Sequence, residues 1–458
     1  MGTKNKSLEN KEHKGFTSKL GFVLAAAGSA VGLGNLWRFP YLTAKYGGGI
    51  FLLCYIVLAV VLGCALLMLE FSIGRKTRKS VIGAFSTLNK KFSWVGYFSL
   101  IVPAIIVPFY CVIGGWVIKY VISFITGASG LVGATDTSSF FTTFRASTFE
   151  PLLYFFIFAF ITVLIIAFGV QKGIEKLSKI MMPALAVISV GLMIYVLCQP
   201  KAMEGVAFFF LPDFSKFSFQ TVLAALGQLF YSMSIGLCIN ITYGSYMKKD
   251  TSIPSSSGQV ALFDSSFAIV AGLIIIPAIF AFSQDPYTVI KTQGTSLMFI
   301  QLTQVFNNIP AGSVVGAIFF ILVFFAALTS SISLVEALVA AICEKAKISR
   351  TSACIIVFAL ILILGALSSL GFGVLSNVRI FGLGIMDTFD FLSNNILIPI
   401  VAIITCVVAG YFINKELLPD EIGIGKNRFL KSYFNIVVRY VAPICILIIL
   451  ISGLFLTI

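Results

Sequence analysis

The stretch Gly28-Ser29-Ala30-Val31-Gly32-Leu33-Gly34-Asn35 lies inside an apolar run long enough to cross a bilayer, yet it holds three glycines in seven positions. Each glycine weakens a helix interior by about 1 kcal/mol relative to alanine. Hydrocarbon offers no water to freed backbone groups, so non-helical backbone at membrane depth persists only where it is buried in protein or lines a cavity. The stretch therefore predicts a membrane helix broken near its middle. The carbonyls and amides released there are the raw material of an ion and solute site.

The chain is 59% hydrophobic and 11% charged, whereas a soluble domain is about 25% charged. Its apolar runs are long and not alternating, which excludes a β-barrel. The fold class is an all-α polytopic membrane protein with eleven transmembrane helices, at about 18–42, 47–74, 93–126, 151–170, 176–199, 218–247, 257–284, 311–343, 352–375, 379–414 and 429–457. The Lys-rich start has no apolar signal region, so the first span is expected to stay in the mature protein. A net charge of +14 would point to nucleic acid in a soluble chain. Here the positive-inside rule accounts for it, and no nucleic-acid partner is expected. Arg75, Lys76, Arg78, Lys79, Lys90 and Lys91 crowd one inner loop, while the opposite loops carry few cations, among them Arg145, Lys201, Lys216, Lys291 and Arg379. The expected placement is the cell membrane, with the N-terminus cytoplasmic and the C-terminus extracellular.

Nine cysteines fall mostly within the apolar spans, without CxxC spacing, and read as small buried hydrophobes. The one histidine, His13, lies in the N-terminal tail. No nucleophile–base or metal constellation is present, so the chain does not read as an enzyme. Outer stretches at about 127–150 and 285–310 are the longest loops, and the second is a candidate lid.

A second interruption, Ser232-Met233-Ser234-Ile235-Gly236, falls in span 6. Five spans separate the two breaks, and an odd offset reverses orientation. The pair therefore predicts a five-plus-five inverted repeat, with the binding site where the broken helices meet. The divisions are a tail at 1–15, a first repeat at 16–199, a second at 200–415, and a closing loop and helix at 416–458. In span 5, Gly173 and Pro183 frame a candidate inner hinge or an ordinary proline kink.

Charge inside a membrane needs a reason. Asp264 in span 7 has no basic partner in its own span, and a bound cation would balance it. Ala326-Ala327-Leu328-Thr329-Ser330-Ser331 in span 8 offers hydroxyls and carbonyls suited to an alkali cation, or hydroxyls bonded back into their own helix. Glu336 is a second buried carboxylate, and Glu344 is placed to meet the basic tail. Arg38 and Asp390 form an outer gate if they face one vestibule.

These residues, together with Trp37-Arg38-Phe39-Pro40-Tyr41, Gly47-Gly48-Gly49, Glu70-Phe71-Ser72-Ile73-Gly74-Arg75, Gly227-Gln228 and Ser245-Tyr246, resemble the neurotransmitter:sodium symporter family, in particular its prokaryotic eleven-helix amino-acid transporters. The resemblance covers about 14–457 and implies the leucine-transporter-type fold with helices 1 and 6 broken. It also implies a first sodium held by Ala30, Asn35, Ser232 and Asp264. A second sodium is implied at the carbonyls of Gly28, Val31 and Ala326 and the hydroxyls of Thr329 and Ser330. The substrate carboxylate would take amides near Leu33 and Gly34 and the Tyr110 hydroxyl. Its amino group would face carbonyls around Ala30, Tyr231 and Ser234, and its side chain would contact Ile106, Tyr231, Ser234, Leu237, Ser330 and Leu334. Arg38, Asp390, Tyr246 and Glu344 would serve as gates, Arg38 with Asp390 on the outer side and Glu344 with the basic tail on the inner.

Monoamine members of that family have an Asp where Gly32 stands, so the resemblance implies a ligand bringing its own carboxylate. The family's chloride site looks like Tyr55, Gln228 and Ser232 plus the residue at 264. A carboxylate at 264 implies chloride independence, and Asp264 is also a candidate proton carrier on the empty return step. Two departures stand out. His13 takes the place of the usual tail Arg three residues before the aromatic Phe16, with Lys14 as a substitute, and Pro108 precedes Tyr110 in span 3. The expected function is sodium-coupled import of neutral hydrophobic or aromatic L-amino acids across the bilayer by alternating access. The alternative is a proton-coupled amino-acid permease of the same architecture.

Overall fold

The computed structural model of the chain describes residues 15–455 apart from 129, 135, 284 and 290–294. Nine helices among these are long and apolar enough to cross a membrane on their own. They are span 2 (Gly49–Thr77), span 3 (Lys90–Thr126), span 4 (Phe149–Ala167), span 5 (Val170–Leu197), span 7 (Ile253–Phe282), span 8 (Gly312–Ala346), span 9 (Arg350–Leu370), span 10 (Ile385–Phe412) and span 11 (Arg428–Gly453). Two further spans are broken. Span 1 is Lys19–Ala30 followed by Gly34–Lys45, bent by 53°. Span 6 is Phe219–Ser232 followed by Ile239–Tyr246. The fold class expected from the sequence is the one observed.

The breaks follow from local chemistry. Ser18 caps the first half of span 1 by accepting from the Gly21 amide at 3.0 Å. That half ends where Val31 turns extended, with ψ 102. The chain resumes at Gly34 in a wide π-helical turn, Gly34–Arg38. In span 6 the gap holds three left-handed residues, Ser234 (φ 55), Gly236 (φ 78) and Cys238 (φ 66). Two of them have a Cβ, so the surroundings must hold this conformation in place. Glu70 of span 2 does so: its carboxylate accepts from the Gly236 amide at 2.8 Å and from Asn240 Nδ2 at 2.9 Å. Asn240 Nδ2 also donates to the carbonyls of Met233 and Ser234.

Spans 3 and 8 pack along each other, and span 8 also touches spans 1, 4, 5 and 9. In each of them, 78% of the most apolar stretch is buried in protein, against 28% for span 11. The broken helices therefore face a protein interior, and span 11 faces the lipid. Residues 297–307 of the expected lid pack onto the 127–146 segment: Phe299 stacks on Phe141 at 5.2 Å, and Thr137 Oγ1 donates to the Ile300 carbonyl at 2.9 Å.

The two residues of the candidate hinge fall in different places. Pro183 lies inside the continuous helix Lys176–Leu197. The loosened turn is Val170–Glu175, which contains Gly173 and starts from Gly169 at φ 85. Gly169 adopts a conformation that disfavours other residues, and so the chain turns there.

Candidate functional site

The expected first cation ligands converge. Asp264 is fully buried. Its Oδ1 accepts from Asn35 Nδ2 at 2.8 Å and from the Ser232 hydroxyl at 2.6 Å. Its Oδ2 accepts from the Tyr55 hydroxyl at 2.9 Å. Ala30, the last residue of the first half of span 1, is buried beside them and lines the same cavity as Asn35 and Ser232. Among the described residues no lysine or arginine pairs with Asp264, so the cluster retains a buried negative charge suited to a cation. Gln228 of the expected anion site donates through Nε2 to the Gly34 carbonyl at 3.2 Å, while its Oε1 is buried without a partner.

The second set converges between spans 1 and 8. The Ser330 hydroxyl faces the carbonyls of Ser29 at 3.1 Å, Val31 at 3.3 Å and Gly28 at 3.5 Å. One hydroxyl proton cannot satisfy three carbonyls, and the surplus of lone pairs fits a cation. Thr329 bonds back to the Phe325 and Ala326 carbonyls at 3.0 and 3.1 Å. Its Cβ stands 3.3 Å from where a Cβ on Gly28 would be, so the two helices are in contact. Neutral oxygens with one carboxylate are the ligand set of a hard cation.

Between the two clusters lies a small cavity of about 30 Å³. Leu33, Gly34, Ile106, Tyr110, Tyr231, Ser234, Leu237, Ser330 and Leu334 all line it, and none of its lining residues is charged. The Leu33 amide and the Tyr110 hydroxyl approach to 3.4 Å, so these two polar groups point to one place. The Ser234 hydroxyl donates to the Ser29 carbonyl at 3.3 Å.

Tyr110 and Tyr231 line this cavity and also a vestibule of about 800 Å³ above it. Arg38 and Asp390 both line the vestibule, as the gate reading requires. No ion pair joins them. The Arg38 guanidinium instead sits 5.0 Å over the Tyr231 ring, and Asp390 Oδ1 accepts from Asn394 at 2.7 Å. Arg38 and Asp390 thus share the vestibule without touching each other.

The opposite side is closed, partly by residues the sequence did not single out. The Tyr246 hydroxyl donates to Glu336 Oε1 at 2.7 Å, and Arg350 at the start of span 9 pairs with both Glu336 oxygens. Tyr246 thus meets Glu336 and not Glu344. Eight residues along a helix amount to about 12 Å, so Glu344 lies more than two turns further out, where it accepts from the Ser80 amide at 2.5 Å. His13 and Lys14 lie outside the described residues. Phe16 is buried edge-on against Phe22 and Tyr243, and its amide donates to the Tyr246 carbonyl. Glu175, in the loosened turn of span 5, accepts from the Thr17 amide at 2.7 Å and from Lys179 at 2.7 Å.

Glu336 is fully buried and Arg350 is 28% exposed. Removing one partner of a buried pair costs about 3–5 kcal/mol. Arg350→Gln is expected to fall near the low end and to open the inner side. Thiol labelling of a cysteine placed at Phe16 should then rise in the variant. Unchanged labelling would show that the pair does not hold the closure.

An all-helical membrane bundle, broken at its first and sixth spans with cation-ligand clusters at the breaks, is the architecture of an ion-coupled secondary transporter. A profile of the sodium:neurotransmitter symporter family matches residues 13–132 and 150–457. An uncharacterized sodium-dependent transporter, YhdH of Bacillus subtilis, is 34% identical over 447 residues, spanning 95% of this chain and 97% of the relative. An uncharacterized sodium-dependent transporter of Haemophilus influenzae is 33% identical over 459 residues, spanning 97% and 99%. A crystal structure of MhsT in complex with L-phenylalanine aligns with a TM-score of 0.87 at 38% identity, covering 96% of this chain and 100% of that one. The chain belongs to the sodium:neurotransmitter symporter family: it is a multi-pass membrane protein and a sodium-dependent transporter, not an enzyme.

Proposed function

We propose that the protein imports neutral hydrophobic or aromatic L-amino acids together with sodium, by alternating access and without chloride. The observation that carries the reading is the uncharged cavity. A zwitterion can be held there by backbone dipoles, the Tyr110 hydroxyl and an adjacent cation. A charged side chain would find no counter-charge. Ile106, Leu237 and Leu334 supply apolar wall, and the related MhsT structure contains L-phenylalanine. The two oxygen clusters support two sodium sites, one at Ala30, Asn35, Ser232 and Asp264 and one at Gly28, Val31, Ala326, Thr329 and Ser330. The separation of Arg38 from Asp390 and the closed inner side support an outward-facing state. The basic loops support a cytoplasmic N-terminus and extracellular C-terminus.

The driving force is sufficient. A tenfold gradient is worth about 1.4 kcal/mol per ion, and 100 mV adds about 2.3 kcal/mol per charge. Two ions then supply roughly 7 kcal/mol, enough for about 10⁵-fold accumulation. The test is uptake of the twenty amino acids into liposomes, with sodium or with choline outside. Sodium-dependent uptake led by phenylalanine, tyrosine, tryptophan, leucine or methionine is the expected result. Sodium-independent uptake driven by a proton gradient would instead establish the permease alternative. Preference for amines lacking a carboxylate would overturn the substrate class.

A further inference from the structure

Arg439 is a cation in span 11 that the transport mechanism does not use. Its guanidinium makes no hydrogen bond or ion pair among the described residues, and its Nε is buried without a partner. A guanidinium has five donors and cannot be neutralised in a protein, so a partner is needed. An arginine in a membrane span marks a site by default.

Its depth is fixed by span 10. The Tyr411 hydroxyl donates to the Arg439 carbonyl at 2.9 Å. A Cβ on Gly410 would stand 2.8 Å from Arg439 Cγ, so the missing side chain is the notch that takes the arginine stem. Gly410 and Tyr411 belong to the last turn of span 10, which ends at Phe412. Arg439 therefore lies where span 10 leaves the apolar layer. Tyr411, Phe412 and Tyr440 are each about half exposed around it, as in the aromatic belt of a membrane interface. The adjoining turn Lys90–Phe92 is pinned to the same place, with Phe92 4.8 Å from the Phe412 ring and Asn89 Nδ2 donating to the Phe412 carbonyl at 3.3 Å. That turn presents Lys90 and Lys91, both exposed and without acidic partners among the described residues. Lys431 is nearby in sequence but is already paired with Glu416.

The geometry points to a site for an anionic phospholipid in the leaflet on the N-terminal face of the bundle, its phosphate held by Arg439 and its headgroup met by Lys90 and Lys91. Arginine suits a phosphate because its fork donates two parallel hydrogen bonds. The two lysines favour a headgroup with net negative charge. The aromatic side chains border the acyl chains.

The test uses the purified full chain in detergent, with thermal unfolding followed as lipid is added. Dioleoyl phosphatidylglycerol is expected to raise the unfolding temperature more than dioleoyl phosphatidylcholine, and inorganic phosphate is expected to do nothing. Arg439→Gln should weaken the phosphatidylglycerol titration about tenfold, with Arg439→Lys intermediate. Should Arg439→Gln not fold, the double variant Lys90→Gln/Lys91→Gln carries the test by losing the preference for phosphatidylglycerol over phosphatidylcholine. Equal shifts with both lipids in the unaltered chain would overturn the proposal. So would a titration unchanged in these variants, or an effect reproduced by inorganic phosphate.

Discussion

Asp264→Asn is expected to weaken apparent sodium affinity about a hundredfold and to make the remaining uptake depend on chloride. The carboxylate is fully buried and gathers three donors, from Asn35, Ser232 and Tyr55. Among the described residues it has no basic partner, so its charge is available to balance a cation. Replacing one member of a buried charge pair costs about 3 kcal/mol, roughly a hundredfold in affinity. The amide that replaces it carries no charge. The hydroxyls of Tyr55 and Ser232 then lose a carboxylate acceptor, and an anion placed between them would restore both the acceptor and the lost charge. The measurement is a sodium titration of phenylalanine uptake in liposomes, in chloride and in gluconate. A sodium dependence equal to that of the unaltered chain would remove Asp264 from the cation site. Identical uptake of the variant in the two anions would remove the chloride argument and leave the sodium argument standing.

The two breaks and the polar clusters beside them were legible because each is a local contradiction. Glycines inside an apolar run, or a lone carboxylate in one, announce themselves without knowledge of the fold. What they meet is less legible. Glu70 holds the gap in span 6 from 166 residues away, and Glu175 holds Thr17 from 158 residues away. A buried glutamate announces that a partner exists but not which one. Span 8 carries Glu336 and Glu344 toward the same end, and nothing in the sequence says which of them Tyr246 meets. The choice is made instead by Arg350, brought back by a left-handed turn at Lys347 with φ 54. The candidate hinge is a related case. The spacing of Gly173 and Pro183 is visible in sequence, but a proline can sit in a helix at the cost of one hydrogen bond. Gly169 redirects the chain only because span 4 ends directly before it.

Gly32→Ala is expected to weaken phenylalanine and sodium binding together in a chain that still folds, and so to slow sodium-driven uptake. A Cβ at Gly32 would stand 2.6 Å from Ser330 Oγ and 3.2 Å from the Tyr110 hydroxyl. Neither oxygen is free to yield. Ser330 Oγ is held among the carbonyls of Ser29 and Val31, and the Tyr110 hydroxyl faces the Leu33 amide. The remaining way to make room is to shift the backbone of span 1, which displaces the neighbouring Val31 and Leu33 together. A methyl group forced into a packed interior costs about 1–3 kcal/mol, and here the strain falls on a second-cation ligand and a substrate ligand together. Binding of phenylalanine and of sodium should therefore weaken in step, each by about tenfold or more. Gly191→Ala is the control, since a Cβ there meets nothing within 4 Å. In a helix interior that change removes flexibility from the unfolded chain and should leave transport intact. If Gly32→Ala weakens phenylalanine binding and leaves sodium binding at the unaltered value, Ser330 does not serve the second cation, and the glycine serves the substrate pocket alone.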